Sequence, residues 1–160
     1  MGTETAEQRI THLTWEDIIV LTRTLADQVR PHHFDLFLGI SRGGLIPTAF
    51  LAKRLHHFDV VVASIMYYDA NDQRLPEPIV LEMPPAEVLD GKTVLIIDDV
   101  WDSGNTIKRV RELVIQAGGT PMVATLHYKP GKSLNAGRPD FSAAETEEWI
   151  RYPWEAINGD

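Results

Sequence analysis

The sequence contains no cysteine, which excludes disulfide frameworks, thiolate nucleophiles and cysteine-based zinc sites. No apolar run approaches the roughly 20 residues that a membrane-spanning helix requires, and the first residues lack the basic and apolar regions of a signal peptide. Basic residues are outnumbered, because 15 Lys and Arg face 23 Asp and Glu and give a formal net charge of −8. Nothing resembles the basic stripe that binds nucleic acid. We therefore expect a cytoplasmic protein that binds neither membranes nor nucleic acids.

The remaining composition is that of an ordinary globular chain. A length of 160 residues with 44% apolar content predicts one domain over residues 1–160. Strands are predicted at 34–40, 59–68, 93–99 and 121–128, and amphipathic helices at 15–29, 45–56 and from 107 to Gly118. We expect the strand at 59–68 to be buried on both faces because it is rich in β-branched residues. Strands that alternate with helices predict a doubly wound, mainly parallel α/β sheet flanked by helices.

Two segments interrupt this alternation. Residues 69–78 are polar and contain proline, so they suit either a flexible flap over an active site or a surface connection. From residue 129 onward the chain looks irregular, apart from a short amphipathic stretch near the end. Adjacent histidine pairs at 32–33 and 56–57 lie near predicted helix ends, where the spacing does not favour a metal site.

The stretch VLIIDDVWDSGNT carries the strongest functional signal. A hydrophobic strand ends in Asp98 and Asp99, Asp102 follows, and residues 103–106 open a helix with small side chains. Backbone N–H groups at such a helix start can hold a phosphate, and ionised carboxylates accept hydrogen bonds from a sugar diol or bind Mg²⁺. A ribose 5-phosphate satisfies both halves. The acid pair alone would also suit a polar strand end or a receiver-type metal site.

IIDDVWDSGNT resembles the phosphoribosyl-pyrophosphate (PRPP) motif of the type I phosphoribosyltransferases, and SRGG at 41–44 resembles their pyrophosphate loop, in which a non-proline cis peptide is common. The chain is most similar to bacterial xanthine-guanine phosphoribosyltransferase and its 6-oxopurine relatives. The matching segments are WEDII, SRGGLIP, YYDANDQR, YKPGK and the ending EEWIRYPWE. The resemblance implies phosphoribosyl transfer from PRPP to N9 of a 6-oxopurine, with release of pyrophosphate and formation of a nucleoside monophosphate.

The resemblance also implies roles for particular residues around PRPP. Asp98 and Asp99 would contact the ribose hydroxyls, and Asp99 would also meet the Mg²⁺ cofactor. The 5′-phosphate would lie at Ser103, Gly104, Asn105 and Thr106, beside Asp102. The pyrophosphate would lie at Ser41, Arg42 and Gly43 and at Arg74 of the flap. The implied catalytic residues are Asp99, Arg74 and Asp102, which would handle a proton near purine N7.

The purine would be held by a hood formed from residues 129–154. Lys129 would donate to O6, Trp149 would stack on the ring, and the Ile150 backbone would contact the far edge. Without the resemblance, Trp149 is typical of a core residue and Lys129 of a surface residue. Between them the chain has little of the family's strand pattern, so guanine, hypoxanthine and xanthine remain open.

Other functions remain open from the sequence. A non-catalytic regulator of the same fold would bind PRPP or nucleotides, and an enzyme of the same fold could take another base. The acidic balance disfavours the first, and the ending W-I-x-x-P-W disfavours the second. Because relatives form dimers or tetramers, we expect a homodimer or homotetramer.

Overall fold

The computed structural model describes residues 9–71, 73–134 and 136–158 and contains eight strands within them. The strands are β1 (Ile10–His12), β2 (Leu36–Ser41), β3 (Val60–Tyr68), β4 (Arg74–Glu82), β5 (Thr93–Trp101), β6 (Thr120–Tyr128), β7 (Phe141–Glu145) and β8 (Trp149–Arg151). The α-helices are α1 (Trp15–Val29), α2 (Leu45–Leu55), α3 (Ala86–Leu89) and α4 (Asn105–Gln116). Short 3-10 helices cover Pro130–Lys132 and Pro153–Asn158.

The main sheet has six strands in the order β4-β3-β2-β5-β6-β7. All neighbours pair in parallel except β3 and β4, which form an antiparallel hairpin at one edge. A separate parallel pair joins β1 to β8. The predicted fold class is confirmed. No helix in the described residues is both long and apolar enough to cross a membrane.

Helix α1 shows how local sequence sets an element's start. The Thr14 side chain accepts a hydrogen bond from the Asp17 N–H, and the Asp17 carboxylate accepts one from the Thr14 N–H, so the two residues form a capping box. The helix buries one stripe of residues, which includes Ile18 and Leu25, both fully buried. A capped start and an apolar stripe together place α1 against the sheet.

Strand β5 lies at the centre of the core. Its successive side chains point to opposite faces. Leu95 and Ile97 pack in the cluster that contains α1 and α2, and Val94 and Ile96 pack in the cluster that contains α4. All four are fully buried. Two helical layers therefore hold this strand rigidly, and they fix where its carboxyl end emerges.

Two expectations for the β3–β4 region are wrong. Strand β3 is not buried on both faces, since Val60 is 42% and Val62 38% exposed. The helices pack mainly on β2, β5, β6 and β7, so β3 lies beyond their cover. The segment 69–78 is also more regular than the sequence suggested, because residues 74–78 belong to β4 and pair with β3.

The C-terminal segment is likewise less irregular than expected. Strand β7 extends the main sheet by pairing in parallel with β6, with Ala124 opposite Phe141. Strand β8 then leaves that sheet and pairs with β1, with Thr11 opposite Ile150. The chain after residue 129 therefore contributes one strand to the core before it crosses to the carboxyl end of the sheet.

Candidate active site

Three adjacent parallel strands deliver the predicted site residues to one edge of the sheet. Strand β2 ends at Ser41, β5 at Trp101 and β6 at Tyr128, and β5 lies between the other two. In an open parallel sheet, ligands bind at the carboxyl ends of the strands. The loops that follow these strands therefore lie beside one another at this edge.

The loop after β2 brings its backbone close to an acidic side chain. Its Ser41–Arg42 peptide bond is cis, as the family resemblance implied. A Cβ atom added at Gly43 would overlap the Asp99 carboxylate, and one added at Gly44 would overlap the Ile97 carbonyl oxygen. Only glycine permits this approach. Arg42 is exposed and immediately precedes Gly43, the glycine that lies against the Asp99 carboxylate.

Asp98 and Asp99 are half-buried and are held by the backbone that follows them. The Asp99 N–H donates to the Asp98 carboxylate at 2.9 Å, and the Val100 N–H donates to the Asp99 carboxylate at 2.7 Å. Desolvation, then the neighbouring Asp99 charge, raises the pKa of Asp98 well above its usual range. Desolvation also raises the pKa of Asp99 to about 6, and the Glu155 charge adds to it.

These acids suit a divalent cation. Within the described part of the chain, no Lys or Arg pairs with either carboxylate. Nor do three His, Cys, Asp or Glu side chains cluster there as a complete metal cage. Mg²⁺ is commonly held by one or two carboxylates together with substrate oxygens and water. The uncompensated charge of the pair therefore fits an ion that arrives with a phosphorylated substrate.

Helix α4 begins immediately beyond the acids. Gly104 precedes its first residue and has a φ of 81°, which favours glycine. A Cβ atom there would also lie 2.5 Å from Nε1 of Trp101, which is buried. The first-turn N–H groups of a helix have no acceptor within that helix, and the helix dipole favours an anion beside them. The start of α4 therefore suits a bound anion.

Two of the predicted purine residues, Lys129 and Trp149, lie together beside Asp102. Lys129 is only 3% exposed, so it is not a surface lysine, and its Nζ lies 3.3 Å from Oδ2 of Asp102. Trp149 is 46% exposed, so it is not a core residue. The Lys129 ammonium lies 5.2 Å from the centroid of the Trp149 ring. Ile150 is buried beneath them in β8.

A cleft of about 740 Å³ joins the loop after β2 to Asp99. Its lining residues are Ser41, Arg42, Gly43, Leu45, Ile46, Asp99, Trp154 and Glu155. Sequence reasoning did not assign Trp154 or Glu155 to the site, although both lie in the quoted ending EEWIRYPWE. The structure thus brings the predicted loop and acids together. The Arg74 side chain lies outside the described residues.

A buried polar network beneath the acids was also missed. Tyr152 is 3% and His127 6% exposed, and His127 Nδ1 lies 2.8 Å from the Tyr152 hydroxyl. Desolvation, followed by the Lys129 charge, lowers the pKa of His127 to about 4, so this ring is neutral near pH 7. Desolvation and the nearby acids raise the pKa of Tyr152 far above its ordinary value. No local sequence signal marks two residues that meet 25 positions apart.

Comparisons with known proteins agree with this geometry. The family model described as phosphoribosyl transferase domain matches residues 12–156. The chain is 34% identical over 154 residues to a xanthine-guanine phosphoribosyltransferase of Cereibacter sphaeroides, covering 90% of this chain and 86% of the relative.

Solved structures with a similar fold include a purine phosphoribosyltransferase from Pyrococcus horikoshii. Its TM-score is 0.77 at 30% identity, covering 91% of this chain and 93% of that chain. A hypothetical protein from Neisseria gonorrhoeae with bound ppGpp gives a TM-score of 0.80 at 29% identity, covering 94% of this chain and 92% of that chain. With a family model matched over most of its length, the chain belongs to the phosphoribosyltransferase family.

Proposed function

We propose that the protein is a purine salvage enzyme that transfers the phosphoribosyl group of PRPP to N9 of a 6-oxopurine. The reaction releases pyrophosphate and forms a nucleoside 5′-monophosphate. The observation that carries this proposal is the placement of two acids, with which no described Lys or Arg pairs, between a glycine loop and the start of α4, together with a buried lysine and an exposed indole. Each of these features suits a different part of the two substrates.

PRPP would span the acidic pair. Its 5′-phosphate would accept hydrogen bonds from the N–H groups of Ser103–Thr106 at the α4 start, and its ribose diol would donate to Asp98 and Asp99. Its pyrophosphate would lie at Ser41–Gly43, where Arg42 supplies positive charge. Bound in this way, PRPP would have its anomeric carbon between the loop after β2 and the purine residues.

The purine residues match the edge of a 6-oxopurine. O6 and N7 lie side by side on one edge of the purine. The groups proposed to bind them, Nζ of Lys129 and Oδ2 of Asp102, lie 3.3 Å apart. Lys129 would donate to O6, and Asp102 would accept a proton from N7 while N9 bonds to the ribose. Trp149 offers an exposed indole face for stacking.

Bond cleavage builds negative charge on the pyrophosphate and positive charge on the ribose. Arg42, with Arg74 on the β3–β4 hairpin, would stabilise the pyrophosphate, and the acids would stabilise the ribose cation. Mg²⁺, held by Asp99 and by substrate oxygens, would supply further charge neutralisation when bound. Closure of the hairpin tip over the cleft would exclude water, which competes with the purine as the nucleophile.

A base-panel assay tests this function. The protein is incubated with PRPP and MgCl₂ plus guanine, hypoxanthine, xanthine, adenine or orotate, and both pyrophosphate and nucleotide are measured. We expect turnover with 6-oxopurines and none with orotate. The double variant Asp98→Ala/Asp99→Ala should lose activity, whereas Glu16→Ala/Asp27→Ala, which removes two exposed acids of α1, should retain it. Binding of PRPP without any pyrophosphate release would favour a regulatory protein instead.

We also propose that the protein acts in the cytoplasm as a homodimer or homotetramer. Apolar side chains on the uncovered β3–β4 hairpin support association, since Ile79 is 46% and Leu81 57% exposed. Sedimentation equilibrium would measure the mass in solution. A monomer at micromolar concentration would contradict the assembly proposal and would leave the proposed reaction untouched.

A further inference from the structure

The peptide unit between Asp99 and Val100 is held at both of its ends. Its N–H belongs to Val100 and donates to the Asp99 carboxylate at 2.7 Å. Its carbonyl belongs to Asp99 and accepts from the Tyr152 hydroxyl at 3.1 Å. Because a peptide group is planar, rotating the carbonyl away from Tyr152 would also turn the N–H away from the carboxylate. The tyrosine hydroxyl therefore controls the orientation of an acid that it does not touch.

The direction of each hydrogen bond in this network follows from the groups present. A carbonyl oxygen can only accept, so the one proton of the Tyr152 hydroxyl points to Asp99. The hydroxyl oxygen lies 2.8 Å from Nδ1 of His127 and has already used its proton. Nδ1 must then carry a hydrogen and donate to Tyr152. Hydrogen bonds thus run from His127 to Tyr152 and from Tyr152 to the backbone of Asp99.

Both residues belong to segments that carry the purine site. Tyr152 directly follows β8, which holds Trp149 and Ile150, and His127 lies in β6 two residues before Lys129. The Tyr152 ring stacks on Trp154, with centroids 4.6 Å apart and planes 7° from parallel. The network therefore ties the purine-binding strands to the backbone of the acidic pair.

We propose that Tyr152 and His127 are positioning residues that hold the Asp99 carboxylate in the orientation needed for PRPP. This inference rests on the proposed function of the cleft, but it assigns roles to two side chains outside the cleft's contacts with substrate. Their effect passes through the Asp99–Val100 peptide, so their loss should weaken PRPP binding and spare the purine contacts of Lys129.

The variant Tyr152→Phe tests the proposal because it keeps the stacked ring and removes only the hydroxyl. With Mg²⁺ present, we expect the Kd of PRPP, measured by calorimetry without a purine, to rise by about tenfold, the scale of one lost buried hydrogen bond. In steady-state assays, kcat/KM for PRPP should fall by the same factor, and KM for the purine should stay within about twofold of wild type.

Variants of His127 test the donated hydrogen bond. Asparagine can place an N–H group near the position of Nδ1, whereas leucine cannot. We expect His127→Asn to bind PRPP nearly as well as wild type, and His127→Leu to match Tyr152→Phe. Equal PRPP affinity for the two histidine variants would overturn the donor role. If His127→Leu does not fold, the difference in PRPP affinity between His127→Asn and Tyr152→Phe still tests the donor role.

A matched control is Tyr128→Phe. Tyr128 is 8% exposed and belongs to the other core cluster, and within the described residues its hydroxyl makes no hydrogen bond to Asp98 or Asp99. It should leave the Kd of PRPP unchanged. The positioning role is refuted if Tyr152→Phe binds PRPP within twofold of wild type, or if both kcat/KM values fall equally. A wild-type protein that binds PRPP but releases no pyrophosphate with any base refutes the proposed function, while the calorimetric comparison still tests the positioning.

Discussion

Replacement of Asp99 by asparagine should make the protein more stable at neutral pH while it impairs PRPP turnover. The carboxylate is half-buried beside Asp98, and no described basic group pairs with it. Asparagine keeps an oxygen that can accept from the Val100 N–H, at present 2.7 Å away, and carries no charge. The substitution therefore removes a buried charge without removing the hydrogen bond that orients the side chain.

The size of the gain follows from the pKa of Asp99, which burial raises from 3.8 to about 6. Between these values the folded state binds more protons than the unfolded state, so wild-type stability falls as pH rises from about 4 through about 6. One pKa unit corresponds to about 1.4 kcal/mol, so Asp99→Asn should raise the free energy of unfolding by up to about 3 kcal/mol above that window. Near pH 4 the two proteins should be equally stable, because Asp99 is then protonated.

Urea unfolding at pH 4.5 and pH 8, followed by circular dichroism, measures this difference. Asp35→Asn is the control of opposite sign, because hydrogen bonds from Thr93 lower the pKa of Asp35 to about 2. Its charged form stabilises the fold at all pH values above about 4, so that variant should be less stable than wild type at pH 8. The reasoning is refuted if Asp99→Asn is no more stable than wild type at pH 8, or if its gain persists unchanged at pH 4.5.

Three further substitutions test the site. Lys129→Met should lower kcat/KM for the purine by about 10- to 100-fold through loss of a charged hydrogen bond, with KM for PRPP unchanged; an equal effect on both substrates would contradict the purine role. Gly104→Ala should lower the free energy of unfolding by about 1–3 kcal/mol, because it adds a Cβ beside Trp101 at a positive φ. The control Gly91→Ala, at a φ of 68° with open space around it, should lower it less in the same urea assay. Arg74→Ala should lower kcat much more than purine affinity, and equal losses in the two would argue against a flap role.

The parts of the fold that the sequence predicted are those set by local patterns. The β5–α4 unit combines a continuous apolar run, a glycine turn and a helical stripe. Strand β5 therefore begins at the predicted residue 93 and ends two residues later than predicted, and α4 begins two residues earlier than predicted. Strand β7 was missed because FSAAE lacks β-branched residues and becomes a strand only by pairing with β6. The exposure of β3 depends on where the helices lie, which its own sequence does not encode.

The same difference between local patterns and long-range contacts explains which site residues the sequence could identify. Asp98, Asp99 and the residues at 103–106 are contiguous, so one motif identifies them, whereas the burial of Lys129 and the hydroxyl contact of Tyr152 arise from distant strands. Among described residues, Lys129 pairs with Asp102, and no Lys or Arg pairs with Asp98 or Asp99. The charge of the acid pair is therefore left for a ligand, and burial, which raises the pKa of both acids, disfavours that charge until one binds. Such a pair keeps its orientation only if the backbone beneath it is fixed, and in this chain the hydroxyl of Tyr152 holds the peptide that orients Asp99.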